Sequence, residues 1–359
     1  MCARRWVFDF METEKIYQSL PELLLPWYRE NKRDLPWRHD REPYHVWVSE
    51  IMLQQTRVEA VMGYYTRFLQ ALPDLRSLAE ADPDLLHKLW EGLGYYSRVR
   101  NLQKAAQQVM QQHGGIFPQD HAEIRQLAGI GPYTAGAIAS ICFELPKAAV
   151  DGNVLRILSR IMADDRPIDK QSTKDSMAAS LEAIYPEGAC GDFTQALMEL
   201  GATVCTPRSP RCESCPANAV CRARAQDRVT EFPVKSPPKA KRIEQKTVLI
   251  LDCDGEIALR KRGEKGLLAG LWELPNLPGH LEAEAVMAEA ARMGAAPDRP
   301  DWMVERSHIF THIRWELRAW HIYCTQKPDG FVWASEDELQ EKYALPTAFR
   351  QFFDLRQTE

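Results

Sequence analysis

The chain has 359 residues, of which 45% are apolar and 26% charged, and carries a net charge of −5 at pH 7. This is the composition of an ordinary soluble globular protein, long enough for two or three domains. No apolar run approaches the ~20 residues that span a membrane, and mild acidity alone argues against a chain given over wholly to nucleic-acid binding.

MCARRWVFDF (1–10) has arginines but neither the apolar core nor the cleavage site of a signal peptide. Met11, which opens METEKIYQSL, is a more natural start. Cytoplasmic residence is expected, with no segment pointing to a nucleus or a mitochondrion. Residues 14–225 read as mostly helical, with apolar positions at three- and four-residue spacing, as in Leu85, Leu86, Leu89, Trp90 and Leu93. Breaks at LPD (72–74), ADPD (81–84) and HGG (113–115) separate the helices.

Within this region SEIMLQQTRV (49–58) is expected to be helical. Glu50 then shares a face with Val46, Trp47, Leu53 and Gln54. Apolar neighbours desolvate a carboxylate and raise its pKa toward neutrality, which suits a general acid. A half-exposed glutamate paired with Arg57, or with a basic side chain elsewhere, is the alternative. LAGIGPYTAGAIAS (127–140) places Gly129 and Gly131 in a tight turn ahead of a helix starting near Pro132. The N–H groups of such a helix start form a natural phosphate site; an ordinary loop between helices reads the same way. VDGNVLRILSR (150–160) is a helix whose apolar face is Val154, Ile157, Leu158 and Ile161. Asp151 and Asn153 precede it as ordinary caps or as part of a second acidic site.

Four of the nine cysteines, Cys205, Cys212, Cys215 and Cys221, fall within seventeen residues at C-x6-C-x2-C-x5-C spacing. In a chain without a secretory signal this suggests a metal site rather than disulfides. Four thiolates suit either Zn²⁺ or an iron–sulfur cluster. Between Thr203 and Lys246 ten Lys/Arg stand against four Asp/Glu, a local excess of +6 that suits either a phosphate-binding face or a solvated linker. TEFPVKSPPKAKR (230–242) reads as an extended linker. KTVLILDCDGEIALRKR (246–262) follows as strand, DG turn and strand, with further strands near 303–313 and 316–324 and helices at 281–294 and 335–341. The C-terminal part is therefore a small α+β domain.

Taken in order, RDLPWR (33–38), SEIMLQQTRV (49–58), LWEGLGYYSRVRNL (89–102), GIGPYTAGAI (129–138), VDGNVLRI (150–157) and the four cysteines resemble the helix-hairpin-helix DNA glycosylases that carry an iron–sulfur cluster. Within them the resemblance is to the MutY-type adenine glycosylases, and it extends to GLLAGLWELP (266–275), which looks like their Nudix-related domain. It implies a multidomain fold: an all-α helix-hairpin-helix glycosylase domain with a 4Fe–4S cluster, then a small α+β Nudix-like domain. The expected ranges are 12–229 for the helical domain (about 38–146 as a six-helix module, with 12–37 and 147–229 as the cluster module), 230–243 for the linker and 244–359 for the recognition domain.

By the same resemblance the substrate is adenine in double-stranded DNA, opposite 8-oxoguanine or guanine, bound by a monomer that flips the base. Glu50 protonates the departing adenine and Asp151 stabilises the sugar cation, with Tyr133 and Asn153 orienting them. Arg33, Trp37 and Gln195 line the base pocket. Leu53, Gln54, Gln55 and Tyr95 belong to the DNA-contacting set, Gln55 and Tyr95 as wedges in the duplex, and Gly129 and Gly131 grip phosphate. Family versions have LPG where this chain has Leu127-Ala128-Gly129. The cysteines hold one 4Fe–4S cluster.

Phe310, Thr311 and His312 stand where the family places a Phe-Ser-His loop against 8-oxoguanine. The stretch 279–295 lacks the glutamates of a Nudix hydrolase, so that domain is expected to recognise rather than hydrolyse. Tyr133 occupies the position at which bifunctional endonuclease III-type relatives carry a lysine, which implies no efficient strand cleavage. A bifunctional enzyme of that type and a non-enzymatic iron–sulfur DNA-binding protein are the competing readings.

Overall fold

The computed structural model describes residues 2–237 and 240–353, with side chains from residue 11 onward. Two compact units emerge, Met1–Glu80 with Asn101–Pro237, and Ala81–Arg100 with Pro238–Glu359.

The first unit is helical. Its core gathers Leu20, Leu24 and Tyr28 from the helix Cys2–Asn31, Val154, Ile157, Leu158 and Ile161 from Gly152–Met162, and Phe193, Leu197 and Leu200 from Cys190–Thr203. The expected apolar face of the 152–162 helix is thus fully used. Each such side chain contributes roughly 1.5–3 kcal/mol on burial. Residues 49–58 depart from expectation. The helix Pro43–Met52 stops there, Leu53 caps it, and the next helix begins at Val58. The Thr56 N–H bonds to the Leu53 carbonyl at 3.3 Å, and Gln55 has φ of +61°, a left-handed conformation no helix can contain. In the second unit, Leu85, Leu86 and Leu89 likewise do not continue helically to Leu93: the helix Pro83–Leu89 ends at Trp90, leaving Leu85 exposed while Leu86, Trp90 and Leu93 are buried.

The stretch expected as a linker, 230–243, is bound to the first unit over its first part. Phe232 is buried, the Ile168 N–H donates to the Val234 carbonyl at 3.0 Å, and the Ser236 N–H donates to Asp169 at 2.7 Å. Residues 238 and 239 lie outside the described residues.

The second unit is built on a seven-stranded sheet, β1 (Arg242–Cys253), β2 (Glu256–Lys261), β3 (Trp272–Glu273), β4 (Asn276–Pro278), β5 (Pro297–Ile309), β6 (Ile313–Cys324) and β7 (Val332–Ala334). Its order is β3-β2-β1-β6-β5, with β4 paired to β1 and β7 to β2. β1 and β6 run parallel, with Val248 opposite Ala319, and the other pairings are antiparallel. Alternation along β1 explains the two cores. Val248 and Ile250 face Leu339, Tyr343 and Phe349, while Leu249 and Leu251 face Val286 and Ala290 of the helix Ala283–Arg292. The DG turn forms as expected, with Asp254 at φ +56° and Gly255 at φ +81°.

Candidate active site

The helix Pro43–Met52 carries Glu50 inward, and its burial follows from Val46, Trp47 and Ile51 around it, all within the core. Glu50 is 5% exposed and lines a cavity of about 160 Å³. Asp151, Tyr133, Asn153, Arg33, Trp37, Leu53 and Gln195 line the same cavity. Residues from five separate stretches of chain therefore converge there. Gln54 and Gln55 do not line it; Gln54 donates to Thr134 Oγ1 at 3.4 Å and Gln55 is exposed at its turn.

Tyr133, in the first turn of the helix Pro132–Phe143, donates its hydroxyl to Glu50 Oε2 at 2.5 Å. Burial pushes the Glu50 carboxyl up to about 7; the Tyr133 bond and the charge of Arg38 pull against that rise, and the charge of Asp151 adds to it. Tyr133 is itself held well above its ordinary pKa by burial and by the two carboxylates, so it remains a phenol. With Oε2 engaged, Oε1 is the oxygen left to deliver a proton.

Asp151 caps the helix Gly152–Met162 and accepts the N–H groups of Asn153 at 2.9 Å and Val154 at 2.8 Å. The Asn153 amide donates a third bond, to Oδ2, at 2.9 Å. Burial moves the Asp151 pKa upward, and the three donors oppose that shift by favouring the anion. Capping and site-building are thus one arrangement of atoms. Asn153 is fixed in turn: Arg156 Nη2 donates to its Oδ1 at 2.9 Å and to the Gly201 carbonyl at 2.8 Å, and Arg156 Nε donates to the Cys205 carbonyl at 2.8 Å.

Three further residues of this cavity, Glu199, Arg38 and Met198, escaped the reading of the sequence. The Glu199 side chain is fully buried and bonded to Arg33 Nε at 2.7 Å and Arg38 Nη2 at 2.7 Å. Burial would raise its pKa, but the two guanidinium groups outweigh that and hold it below the usual carboxylate value. Arg33 is consequently committed to Glu199 and serves as a wall rather than as a free cation. The available signal was spacing: Glu199 follows Gln195 by four residues on the helix Cys190–Thr203, on one face.

Leu127 ends the helix His121–Gln126, Gly129 turns at φ +74°, and Gly131 caps the next helix with Pro132 at its first position. A Cβ on Gly129 would stand 2.6 Å from Asn101 Cβ, so both the backbone angle and the space require glycine. The four cysteine thiols are free and surround one small cavity of about 20 Å³ lined also by Ile157, Leu200 and Val204. Among the described residues no three His, Cys, Asp or Glu side chains stand close enough to hold a single ion. Arg160 Nη1 donates to Cys205 Sγ at 3.3 Å, backbone N–H groups face Cys215 and Cys221, and the lining is otherwise largely apolar. Four soft thiol donors that meet around one apolar-lined space, with N–H and guanidinium partners for their sulfurs, are the donor set of a thiolate-bound cluster.

In the second unit, Tyr95, Phe310, Thr311 and His312 line a cavity of about 410 Å³. Thr311 Oγ1 bonds to the Tyr95 hydroxyl at 3.3 Å, and Tyr95 is 49% exposed at φ +48°. Phe310 packs edge-on against His308 and Trp315, with centroids at 4.6 and 4.8 Å, whereas His312 is exposed. On the helix Ala283–Arg292, Glu289 is paired with Arg292, and Glu282, which caps that helix, pairs with Arg318.

Residues 48–186 match the HhH-GPD superfamily of base excision DNA repair proteins, and residues 246–355 match the NUDIX domain. The chain is 36% identical to the mouse adenine DNA glycosylase, over 93% of this chain and 78% of that protein. It is 35% identical to the human one, over 93% and 73%. The Schizosaccharomyces pombe adenine DNA glycosylase is 32% identical over 92% of this chain and 87% of its own length. A solved thermostable thymine-DNA glycosylase superposes with a TM-score of 0.54 at 27% identity, over 60% of this chain and 99% of that one. An endonuclease III–DNA complex shares the fold at a TM-score of 0.51 and 22% identity, over 60% of this chain and 97% of that one. With its helix-hairpin-helix and Nudix halves both matched, the chain is a DNA glycosylase of base excision repair and belongs to the adenine DNA glycosylase family.

Proposed function

We propose that this enzyme hydrolyses the N-glycosidic bond of adenine paired with 8-oxoguanine or guanine, and that it leaves the abasic strand uncut. The observation that carries the reading is the Glu50–Tyr133 pair: a buried carboxyl ionising near 7, hydrogen-bonded to a phenol where an amine would be needed for strand cleavage. The flipped adenine enters the Glu50 cavity, where Glu50 Oε1 delivers a proton to the ring as the bond to the sugar breaks. The departing base then leaves as a neutral molecule. Positive charge grows on the sugar, and the Asp151 carboxylate, oriented by Asn153, stabilises it. Glu50, now ionised, accepts a proton from the attacking water. Among the described residues lining the cavity none is a lysine, so no amine is at hand to form an imine with the sugar.

Cys205, Cys212, Cys215 and Cys221 would hold a 4Fe–4S cluster, which supplies structural order to the basic loop around Arg208 and Arg211. The expected preparation is brown and contains iron; stoichiometric zinc without iron would overturn the assignment. The second unit supplies recognition of the base opposite the adenine, since Glu289 of the 283–292 helix pairs with Arg292 and Glu282, its cap, pairs with Arg318, rather than gathering for Mg²⁺.

The decisive test incubates the protein with a duplex containing one adenine opposite 8-oxoguanine, in the presence of borohydride. Base loss without covalent trapping is expected. Trapping and strand scission at the rate of base loss would mean that a lysine does the work, and would favour an endonuclease III-type reaction.

A further inference from the structure

We infer that Glu91 is a positioning residue for recognition of the base opposite the adenine: its carboxylate ties the turn bearing Tyr95 to residues 345–350, and so sets the cavity in which Tyr95 meets Thr311. This rests on the proposed role of that cavity in reading 8-oxoguanine.

The turn is strained. Gly92, Gly94 and Tyr95 have φ of +96°, +70° and +48°. For tyrosine the left-handed region costs roughly 1–2 kcal/mol, so the conformation persists only where its surroundings impose it. Part of that constraint is internal. Trp90 Nε1 donates to the Gly94 carbonyl at 3.1 Å, and Arg98 Nη2 donates to the Leu93 and Gly94 carbonyls at 2.9 and 3.1 Å. These bonds shape the turn but do not locate it against the rest of the unit.

Glu91 does. Its side chain is 9% exposed, and Oε1 accepts from Arg350 Nη1 at 2.6 Å and from the Leu345 backbone N–H at 3.1 Å. Oε2 accepts from Lys88 at 2.7 Å, within the same segment. Pro346 and Thr347, directly after Leu345, line the cavity together with Gly94, Tyr95 and Tyr96. One carboxylate therefore fastens two walls of a single cavity, four residues from Tyr95 on one side and beside Pro346 on the other. The neighbouring bonds Asp84–Lys261 at 2.8 Å and Arg100 to the Ala269 carbonyl at 2.6 Å hold the segment at its ends, whereas Glu91 holds it at the turn. Glu91 is nearly buried whereas Arg350 is 40% exposed, so removing Arg350 leaves a buried carboxylate short of a partner, and removing Glu91 frees the 345–350 segment outright. The turn then relaxes toward less strained angles and Tyr95 drifts.

The test measures single-turnover adenine excision opposite 8-oxoguanine and opposite guanine, in the full-length protein and in Glu91→Ala, Arg350→Ala, the double variant and Lys88→Ala. Misplacing a positioning element costs up to about a hundredfold. The expected loss in the ratio of the two rates is about tenfold for Glu91→Ala and somewhat less for Arg350→Ala. The double variant should be no worse than Glu91→Ala, because the two side chains share one interaction. Lys88→Ala, which leaves the tie to 345–350 in place, should keep the wild-type ratio. A merely structural ion pair would lower both rates together and leave the ratio unchanged, and that result in folded Arg350→Ala overturns the inference even if Glu91→Ala fails to fold. Wild-type protein with equal rates on the two duplexes would overturn the recognition reading itself, and the inference with it.

Discussion

A carboxyl that ionises near pH 7 is half protonated where the enzyme works, which is the best compromise between holding a proton and giving it away. Glu50 meets that condition through burial. Its single-turnover excision rate should therefore fall about tenfold per pH unit above about 7, as the protonated fraction falls. In Glu50→Gln the limb should vanish and the rate should drop by roughly 10²–10⁴. Stability falls with rising pH as well. The folded-state pKa is raised from its ordinary 4.5 to about 7, so relative stability is full below about pH 4.5 and is lost as pH rises through 7. The loss is on the order of 3 kcal/mol. Glu50→Gln avoids it and can still accept the Tyr133 hydrogen bond, so its denaturation midpoint should exceed that of wild type at pH 8 but not at pH 4.5. A variant less stable at pH 8 would mean that burial is not what raises the pKa. The apolar residues beside Glu50 are visible in a ten-residue window, which is why its burial was legible. Glu199 is not legible that way, because its partner Arg33 lies 166 residues distant.

Between elements, what matters is how closely two helices approach. Gly201, on the helix Cys190–Thr203, has no side chain where a Cβ would stand 2.6 Å from Asn153 Cβ. Its carbonyl also accepts from Arg156, which holds Asn153. Gly201→Ala must push the two helices apart or rotate Asn153. Overpacking of this kind costs roughly 1–3 kcal/mol, and excision should fall at least about tenfold because the Asn153–Asp151 bond is displaced. Normal excision with only a lowered melting point would show that the Asn153 amide does not matter for orienting Asp151. The helices themselves were legible from apolar spacing, as the buried face Val154, Ile157, Leu158 and Ile161 shows. Their ends were not. Nothing in SEIMLQQTRV forbids a helix: the break at Leu53–Gln55 replaces helical bonds with a turn whose left-handed residue is a glutamine. Gln55 and Tyr95, both read as duplex wedges, share this trait: each is exposed, at φ +61° and +48° respectively.

At the scale of the molecule, the order of motifs was legible but the grouping of the chain was not. Residues 81–100 belong with the C-terminal half through ion pairs between positions as far apart as Glu91 and Arg350, which no local pattern reveals. The first unit likewise continues through Val234 and Ser236, which pair with Ile168 and Asp169. A chain cut after Val229 would lose Phe232, whose carbonyl accepts from Arg160, the arginine that also donates to Cys205 Sγ. The informative truncation therefore ends at Pro237. It keeps Glu50, Tyr133, Asp151, Asn153 and all four cysteines, so it should still hold its cluster and remove adenine. It deletes Thr311 and His312 and strips Asp84, Glu91 and Arg100 of Lys261, Arg350, Leu345 and the Ala269 carbonyl. The Tyr95 turn keeps its internal bonds but loses its ties to Leu345, Arg350 and Thr311. Excision opposite guanine should persist within about tenfold, while the advantage of 8-oxoguanine should collapse toward parity, since positioning and contact are lost together. Excision rates on the two duplexes give the answer, and an undiminished advantage would mean that discrimination resides wholly in the first unit.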